Sequence, residues 1–306
     1  MNLDLYIELI RKGEVVAFPT ETVYGLGADA WNASAIKKVF AVKGRPSDNP
    51  LIVHVSSTEQ IHQFAQQIPE NAHILIQKFW PGPLSLVLSK KNNVLDAVTA
   101  GLNSVAIRMP SHPIALEFIT NTGPLVAPSA NTSGRPSPTK AEHVRADFGA
   151  DFPIIDGDAT KVGLESTVLD LTDKTPAILR PGSISRIEIE GVLGEPVEEA
   201  FFNDVVKPRS PGQKYSHYKP NAEVRWLNNG EQLEQASYLY LVHQSNVNAP
   251  NVLKFNNLYL LARELYDCFR KADLEQYTEI CIEPFNPRNS AIGPALLNRI
   301  EKAIGK

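Results

Sequence analysis

The sequence contains few cysteines and no long apolar run, and its first residues do not have the pattern expected of a secretory signal. Its 306 residues include two cysteines, Cys268 and Cys281, which form neither a disulfide framework nor a metal-ligand pattern. No segment approaches the roughly 18 consecutive apolar residues that suggest a membrane helix. The first sixteen residues carry charges at positions 4, 8, 11, 12 and 14, unlike the layout of a secretory signal. We therefore expect a cytoplasmic protein without a membrane segment.

Several catalytic signatures are also missing. The chain has no G-x-x-x-x-G-K-[ST] phosphate loop, no H-E-x-x-H zinc motif and no G-x-S-x-G nucleophile elbow. Residues 25–30 fit a loose G-x-G-x-x-A pattern, but a loop separates them from the preceding strand and no helix is predicted to begin there. This context argues against a dinucleotide-binding turn. Any chemistry must therefore come from dispersed polar residues.

The charge and composition are those of an ordinary globular protein. Apolar residues make up 43% of the chain and charged residues 21%, and the formal net charge is -4. A mildly acidic total argues against a protein that coats nucleic acid, although it leaves a local basic cleft open. A length of 306 residues suits two domains of unequal size.

Hydrophobic periodicity predicts an α/β domain over residues 1–206. Short apolar runs interleave with amphipathic helices without strict alternation, which favours a twisted mixed β-sheet with flanking helices. Ser185 and Glu188 have the spacing of a capping box for a short helix that ends at Gly194. The predicted strands are 15–18, 51–55, 84–88, 105–107, 125–127, 153–155, 167–171 and 177–179, and 19–29 is predicted to be a loop.

The region between Pro124 and Thr139 gives the first indication of a site. An apolar run breaks there into six small or polar residues, Ser129–Gly134, with prolines at 128, 136 and 138. Loops at strand ends commonly carry binding groups, although small polar residues also satisfy their own turns. Thr139 and Glu142 have capping-box spacing for the helix that follows.

The composition changes between residues 207 and 221. This segment has three prolines, one glycine, four basic residues and no aliphatic residue, which is typical of a stiffened inter-domain linker. Two tyrosines and a histidine are unusual in a passive spacer. Beyond it, residues 222–306 predict a small α/β, Rossmann-like domain with a parallel sheet.

Four cations lie at predicted turns. Lys43 and Arg45 flank Gly44 at the end of a helix, where cations either complement the helix dipole or hold a phosphate chain. Arg108 and Arg180 each end a strand before a proline turn. Either one alone is explained as a solvated strand end, but the two together indicate an anion site at one edge of the sheet.

The other polar candidates have equally simple structural explanations. His54 lies within an apolar strand, where a satisfied core histidine is more common than a functional one. Tyr24 fits a core position, and Ser166 and Thr167 at a strand start can satisfy their own turn. None of them indicates a function alone.

Taken in order, nine stretches of the chain resemble one family. Any one of these stretches is a weak signal, but their order and spacing over some 200 residues are specific. They are Phe18–Gly27, Lys43–Pro46, Asn49–His54, Trp80–Pro83, Val105–Pro110, Pro128–Gly134, Glu165–Thr167, Leu179–Gly182 and Ser210–Tyr218. The chain thereby resembles the long, two-domain form of the YrdC-like threonylcarbamoyl-AMP synthases. The match continues more weakly through 261–265 and 297–300, and Gln213 and Ser216 depart from the usual Met and Arg of the family's linker.

The resemblance implies an enzyme, a nucleotidyltransferase that converts L-threonine, bicarbonate (or CO2) and ATP into L-threonylcarbamoyl-AMP and pyrophosphate. It implies that a second complex transfers the threonylcarbamoyl group to an adenosine beside the anticodon of certain tRNAs. A twisted α/β sheet with a basic concave face is the fold that the resemblance implies, and weak RNA binding is compatible with that face. Mg²⁺ is expected to arrive with ATP, and no dedicated metal site is expected.

Under this hypothesis the residues fall into three groups. Phosphate and nucleotide contacts are assigned to Lys43, Arg45, Ser129, Asn131, Ser133 and Arg180, with Lys43 and Arg45 holding the triphosphate as the catalytic cations. Threonine and carbamate contacts are assigned to Thr20, Tyr24, His54, Arg108 and Thr167. Tyr215 or Tyr218 from the linker is expected to act as a lid that excludes water from the labile carbamate.

Two other classes of function would use the same residues. An RNA-binding module would use the same cations, but the net charge of -4 and the lack of interleaved aromatics count against it. A carbamoyl transferase would take preformed carbamoyl phosphate. Pyrophosphate release that requires both threonine and bicarbonate would exclude both alternatives.

Overall fold

Two β-sheets organise the chain in the computed structural model, which describes residues 2–200 and 218–305. The first sheet has nine strands and lies within residues 16–199. The second has four strands and lies within residues 223–282. Helices pack against both sheets, so the predicted α/β class is confirmed.

The elements of the first domain alternate irregularly along the chain. Its strands are β1 (Val16–Phe18), β2 (Gly25–Asp29), β3 (Ile52–His54), β4 (Leu84–Ser89), β5 (Ser104–Arg108), β6 (Leu125–Val126), β7 (Thr167–Asp170), β8 (Ala177–Arg180) and β9 (Glu198–Glu199). Its helices are α1 (Asp4–Arg11), α2 (Ala33–Lys43), α3 (Ile61–Phe64), α4 (Glu70–Phe79), α5 (Asp96–Thr99), α6 (Pro113–Thr122), α7 (Ala141–Phe148) and α8 (Arg186–Leu193), and one 3-10 turn covers Thr58–Gln60.

The strand order is β1-β2-β6-β3-β5-β4-β7-β8-β9. The pairs β3–β5, β4–β7 and β8–β9 are parallel, and the other five pairs are antiparallel. The sheet is therefore mixed, as predicted. Its strands carry apolar runs that are buried along most of their length because helices and loops cover them.

Three local predictions in this domain were wrong. Residues 25–29 form β2, because this part of the predicted loop pairs with both β1 and β6. Residues 153–155 do not form a regular strand, and only Ile154 makes an isolated bridge, to Ala17. The side chain of Thr139 does not cap α7, which begins at Ala141. The Thr139 N–H instead donates a hydrogen bond to His143 Nδ1 at 3.1 Å. By contrast, the capping box of Ser185 and Glu188 is present.

The second domain is built on a fully parallel sheet, as predicted. Its strands β10 (Glu223–Trp226), β11 (Tyr238–Val242), β12 (Val252–Lys254) and β13 (Glu279–Ile282) have the order β10-β13-β11-β12. Helices α9 (Leu258–Leu274) and α10 (Gly293–Ile304), with a 3-10 turn at Pro287–Asn289, cover it. No helix within the described ranges is long and apolar enough to cross a membrane.

The two domains share packed side chains. Val23 and Leu164 of the first domain belong to the same apolar cluster as α9 and α10. Arg270 of α9 forms an ion pair with Asp147 of α7 at 3.0 Å, and both side chains are buried. The α9 backbone also approaches Gly163 so closely that a Cβ there would lie 2.2 Å from the carbonyl oxygen of Arg263. The second domain therefore lies directly beside the loops of the first.

Candidate active site

One row of lateral partners crosses five strands and carries the candidate residues. His54 of β3 lies opposite Arg108 of β5, Arg108 lies opposite Ser85 of β4, Ser85 lies opposite Val168 of β7, and Val168 lies opposite Arg180 of β8. Partners in such a row project from the same face of a sheet, with about 4.8 Å between neighbouring strands. The register therefore gathers His54, Arg108 and Arg180 on one face, although they are far apart in sequence.

A cavity opens on this face. About 740 Å³ of space there is free of atoms, part of it open to solvent. Ten of the predicted site residues line it: Thr20, Lys43, Arg45, His54, Arg108, Ser129, Asn131, Ser133, Arg180 and Tyr218. The structure thus brings together most of the residues that the sequence singled out.

The loop 129–134 forms one wall of the cavity and is anchored by Lys43. Helix α2 ends at Lys43 because Gly44 adopts a left-handed conformation, with φ 59°. The buried Nζ of Lys43 donates to the carbonyls of Ser129 and Asn131, both at 2.5 Å, and the Lys43 carbonyl accepts from the Ser133 N–H at 2.8 Å. Burial is the main reason why the pKa of Lys43 lies well below its usual value. Lys43 therefore fixes the shape of this loop.

In the 129–134 loop, the Asn131 side chain is bonded to the loop itself, whereas the two serine hydroxyls are not. The Asn131 amide donates to the carbonyls of Thr132 and Arg135, at 2.8 and 3.0 Å, so it satisfies its own turn. No hydrogen bond of the Ser129 or Ser133 hydroxyl is formed within residues 2–200 and 218–305. Both residues line the cavity, so their hydroxyls are donors that a ligand can use.

Arg45 lines the cavity two residues beyond the end of α2. Its Nη2 donates to the carbonyls of Asn49 and Pro50, at 3.3 and 3.0 Å. These bonds hold one edge of the guanidinium against the 49–50 turn and leave the side chain half-buried at the cavity. A guanidinium held in this way is suited to a bidentate contact with phosphate or carboxylate.

Arg108 is the most buried of the cavity's arginines. Its Nη2 lies 2.6 Å from Glu21 Oε1, its Nη1 donates to Thr22 Oγ1 at 2.9 Å, and its Nε donates to the Gly82 carbonyl at 3.2 Å. Thr20 Oγ1 contacts Thr22 Oγ1 at 2.8 Å and donates to the Val23 carbonyl. The loop after β1 therefore supplies both the counter-ion and the hydroxyls around Arg108.

Arg180 is held against the start of β7. Its Nε donates to the Ser166 carbonyl at 3.1 Å and its Nη2 to Ser166 Oγ at 3.0 Å. Ser166 Oγ in turn lies 2.8 Å from Ser85 Oγ. Ser166 lines the cavity beside Arg180, so the two residues form a single polar unit.

His54 is neutral. Burial and the nearby cations Arg108 and Arg180 lower its pKa to about 3. The carbonyl of Ile52 lies 3.2 Å from Nδ1 and can only accept, so the proton of the neutral ring is assigned to Nδ1. His54 Nε2 is then a hydrogen-bond acceptor in a cavity that otherwise carries mainly donors.

Two described residues of the predicted site, Tyr24 and Thr167, are absent from the cavity lining. The Tyr24 hydroxyl is behind it, donating to the Asp158 carbonyl at 2.8 Å and accepting from the Gly157 N–H at 3.0 Å. Thr167 Oγ1 donates to the Ile184 carbonyl at 2.7 Å, and the neighbouring residue Ser166 lines the cavity instead. Tyr215 lies outside the described residues. Tyr218 does line the cavity and is buried.

Sequence reasoning did not single out the acidic residues of the site. Glu21 is the buried counter-ion of Arg108, and Glu165 lines the cavity with its pKa lowered to about 2, because Arg299, Arg180 and Ser137 outweigh the effect of burial. Arg299 could have been found from its position. It occupies the buried face of α10 between Leu296 and Ile300, where a charged residue requires a buried partner.

Cations dominate the described part of the lining. Lys43, Arg45, Arg108, Arg135 and Arg180 face one carboxylate, Glu165. An excess of cationic side chains favours anionic ligands, which hydroxyls and backbone groups can orient. The arrangement suits a reaction that needs charge neutralisation and alignment more than a nucleophilic side chain.

Two family models match the chain. A Sua5/YciO/YrdC model, described as "Telomere recombination", matches residues 8–182, and one described as "Threonylcarbamoyl-AMP synthase, C-terminal domain" matches residues 184–305. A Bacillus subtilis threonylcarbamoyl-AMP synthase is 44% identical, with 97% of this chain and 91% of the relative covered. The Pyrococcus abyssi enzyme of the same name is 43% identical, with 97% and 92% covered.

Solved structures agree with these matches. A crystal structure of Pyrococcus abyssi Sua5 complexed with L-threonine superposes with a TM-score of 0.88 at 42% identity. The superposition covers 98% of this chain and 93% of that one. The similarity therefore includes both domains.

Proposed function

The chain belongs to the threonylcarbamoyl-AMP synthase family, and from this membership we propose that it converts L-threonine, bicarbonate (or CO2) and ATP into L-threonylcarbamoyl-AMP and pyrophosphate. The single observation that carries the proposal is the cation-lined cavity, which holds Arg45, Arg108 and Arg180 beside the hydroxyls of Ser129 and Ser133. A triphosphate and an amino-acid carboxylate are both anionic, and such a cavity favours both.

The chemistry requires two bond-forming steps. The threonine nitrogen first joins the carbon of CO2 and loses a proton, which gives a carbamate; where bicarbonate is the source, it supplies CO2 by losing its hydroxyl group as water. A carbamate oxygen then attacks the α-phosphorus of ATP, the bond to the β-phosphate oxygen breaks, and pyrophosphate leaves with that electron pair. Phosphoryl-type transfer is accelerated mainly by alignment and charge neutralisation, which the arginines of the cavity supply.

We assign the triphosphate to the side of the cavity formed by Arg45 and the 129–134 loop. Arg45 would contact phosphate oxygens, and the Ser129 and Ser133 hydroxyls would donate to the nucleotide. Arg180 would bind the nucleotide together with Ser166, because its Nε and Nη2 already hold that residue. Lys43 would act mainly by shaping the loop, since its ammonium is bonded to two loop carbonyls.

We assign threonine to the side formed by Arg108, Thr20 and His54. Arg108 would pair with the carboxylate of threonine, and the neutral His54 would accept a hydrogen bond from its hydroxyl or amine. Tyr24 and Thr167 would support this pocket from behind, through the backbone bonds described above. Tyr218 would form part of the cover that keeps water from the carbamate.

We propose that Mg²⁺ enters with ATP. Among the described residues lining the cavity, Glu165 supplies the carboxylate, and its oxygens accept hydrogen bonds from Ser137, Tyr266 and Arg299. This donor set does not fit a magnesium site of the protein's own. The phosphate oxygens and water would coordinate the ion.

The product is an activated mixed anhydride, so a second enzyme must consume it. We propose that the threonylcarbamoyl group is passed to a tRNA-modifying complex that acts next to the anticodon.

Pyrophosphate release by the purified protein tests the proposal. We expect release from ATP that depends on threonine and on bicarbonate, with L-threonylcarbamoyl-AMP detected by mass spectrometry. Arg45→Ala should raise the KM for ATP, and Arg108→Gln should raise the KM for threonine. Release without threonine, or from carbamoyl phosphate in place of ATP and bicarbonate, would reject the assignment.

A further inference from the structure

A buried ion pair joins the second domain to the cavity wall. Arg299 of α10 is fully buried, and its Nε donates to Glu165 Oε2 at 2.8 Å while its Nη2 donates to the Pro181 carbonyl at 3.0 Å. Glu165 directly precedes Ser166, and Pro181 directly follows Arg180. One guanidinium is therefore bonded to both chain segments that carry the Arg180–Ser166 unit.

The surroundings of Glu165 come from both domains. Ser137 Oγ donates to its Oε1 at 2.6 Å, and the Tyr266 hydroxyl lies 3.2 and 3.0 Å from its two oxygens. The Arg299 guanidinium lies 5.4 Å from the ring centroid of Tyr218, which stacks on Tyr266 at 5.3 Å. Residues beyond the linker therefore form the layer directly behind this wall of the cavity.

Stability alone is a weak explanation for this pair. Moving two charges out of water costs free energy that their attraction seldom exceeds, and apolar residues of similar volume stabilise a core as well or better. Arg299 instead contacts the residues near the start of β7 and the end of β8. These two segments lie so close together that a Cβ at Gly182 would be 2.2 Å from the Thr167 nitrogen. Arg299 therefore bonds to the residue before Ser166 and to the residue after Arg180.

We propose that Arg299 is a positioning residue for the nucleotide site: through Glu165 and the Pro181 carbonyl, the second domain sets the orientation of Arg180 and Ser166. Arg299 itself contacts no substrate. This inference rests on the proposed function only in assigning Arg180 and Ser166 to the nucleotide. It gives the second domain a defined part in the reaction.

Three variants test the role of Arg299. Arg299→Met with Glu165→Gln removes both buried charges at once, so the protein is not left with an unpaired carboxylate. Arg299→Lys keeps the charge but cannot donate to Glu165 and Pro181 with the same fork. Asp267→Asn is the matched control, because Asp267 makes an inter-domain contact with His143, at 3.0 Å, outside the cavity lining.

For each variant, the KM for ATP and the KM for threonine are measured and compared with the wild-type values, and thermal melts verify folding. In the double variant we expect the KM for ATP to rise about tenfold, the effect of weakening roughly one charged hydrogen bond, with the KM for threonine unchanged. Arg299→Lys should fall between the double variant and the wild type, and Asp267→Asn should match the wild type. A folded double variant with an unchanged KM for ATP, or with both KM values raised equally, would refute the positioning role.

Calorimetric titration with ATP separates this inference from the proposed function. If the wild type releases pyrophosphate as proposed and the double variant binds ATP with the same Kd, only the role of Arg299 is wrong. If the wild type does not bind ATP, both proposals are wrong.

Discussion

Replacing Lys43 with Met tests how the 129–134 loop is held. Methionine has nearly the same length as lysine but cannot donate to the carbonyls of Ser129 and Asn131. Hydrogen bonds from a charged group contribute roughly 1.5–3 kcal/mol each, so two lost bonds cost roughly 3–6 kcal/mol. Relief of the buried charge, which already lowers the Lys43 pKa, acts in the opposite direction. We expect a net destabilisation of about 1–3 kcal/mol.

Thermal melts and steady-state kinetics measure the two consequences. For a domain of this size, the expected destabilisation lowers the Tm by about 3–10 °C. Displacement of Ser129 and Ser133 should raise the KM for ATP by about tenfold or more, with a smaller effect on the KM for threonine. Lys38→Met is the matched control, because Lys38 lies on the same helix and pairs with Glu14 at the surface. A Lys43→Met variant that melts and binds ATP like the wild type would refute the anchoring role.

Three further predictions follow from the cavity and its supports. The pKa of His54 is about 3 in the folded protein and near 6.5 in the unfolded chain. The stability that neutral His54 contributes is therefore fully present above pH 6.5 and is lost as the pH falls towards 3. Urea denaturation should therefore show that the wild type loses about 2 kcal/mol more than His54→Gln between pH 8 and pH 5, and equal losses would contradict the burial argument. Tyr24→Phe should lower the free energy of unfolding by about 1–2 kcal/mol and leave the KM for threonine unchanged, whereas a raised KM would place its hydroxyl on the substrate. Gly182→Ala should impair ATP binding because the added Cβ would meet the Thr167 backbone. Gly191→Ala is the control and should bind ATP normally, because nothing lies within 4 Å of a Cβ at that position. Equal ATP binding by the two variants would refute the close packing of β7 and β8.

The sequence was sufficient to predict the mixed sheet and most of the site residues that the structure brings to the cavity. Apolar runs such as 84–88 and 177–179 coincide with β4 and β8, and polar residues that follow such runs meet at the cavity. Residues 25–29 were predicted to be a loop because two glycines and a terminal aspartate are uncommon in strands. Only pairing with β1 and β6, which local patterns do not encode, makes this segment extended.

The division of roles among the site residues was beyond the sequence. Lys43 and Arg45 are near neighbours in the same motif. Lys43 is buried and bonded to carbonyls of the 129–134 loop, whereas Arg45 is half-buried and bonded to carbonyls of the 49–50 turn. That difference arises from the left-handed Gly44 and from where the 129–134 loop lies. The contact between Arg299 and Glu165 joins residues 134 positions apart, so it depends on how the two domains pack.

A crystal structure with L-threonine and a non-hydrolysable ATP analogue tests the central claim most directly. We predict that the triphosphate lies beside Arg45 and the 129–134 loop, that Arg180 and Ser166 contact the nucleotide, and that the threonine carboxylate pairs with Arg108. A nucleotide bound elsewhere, for example at the edge of the parallel sheet of the second domain, would contradict the account.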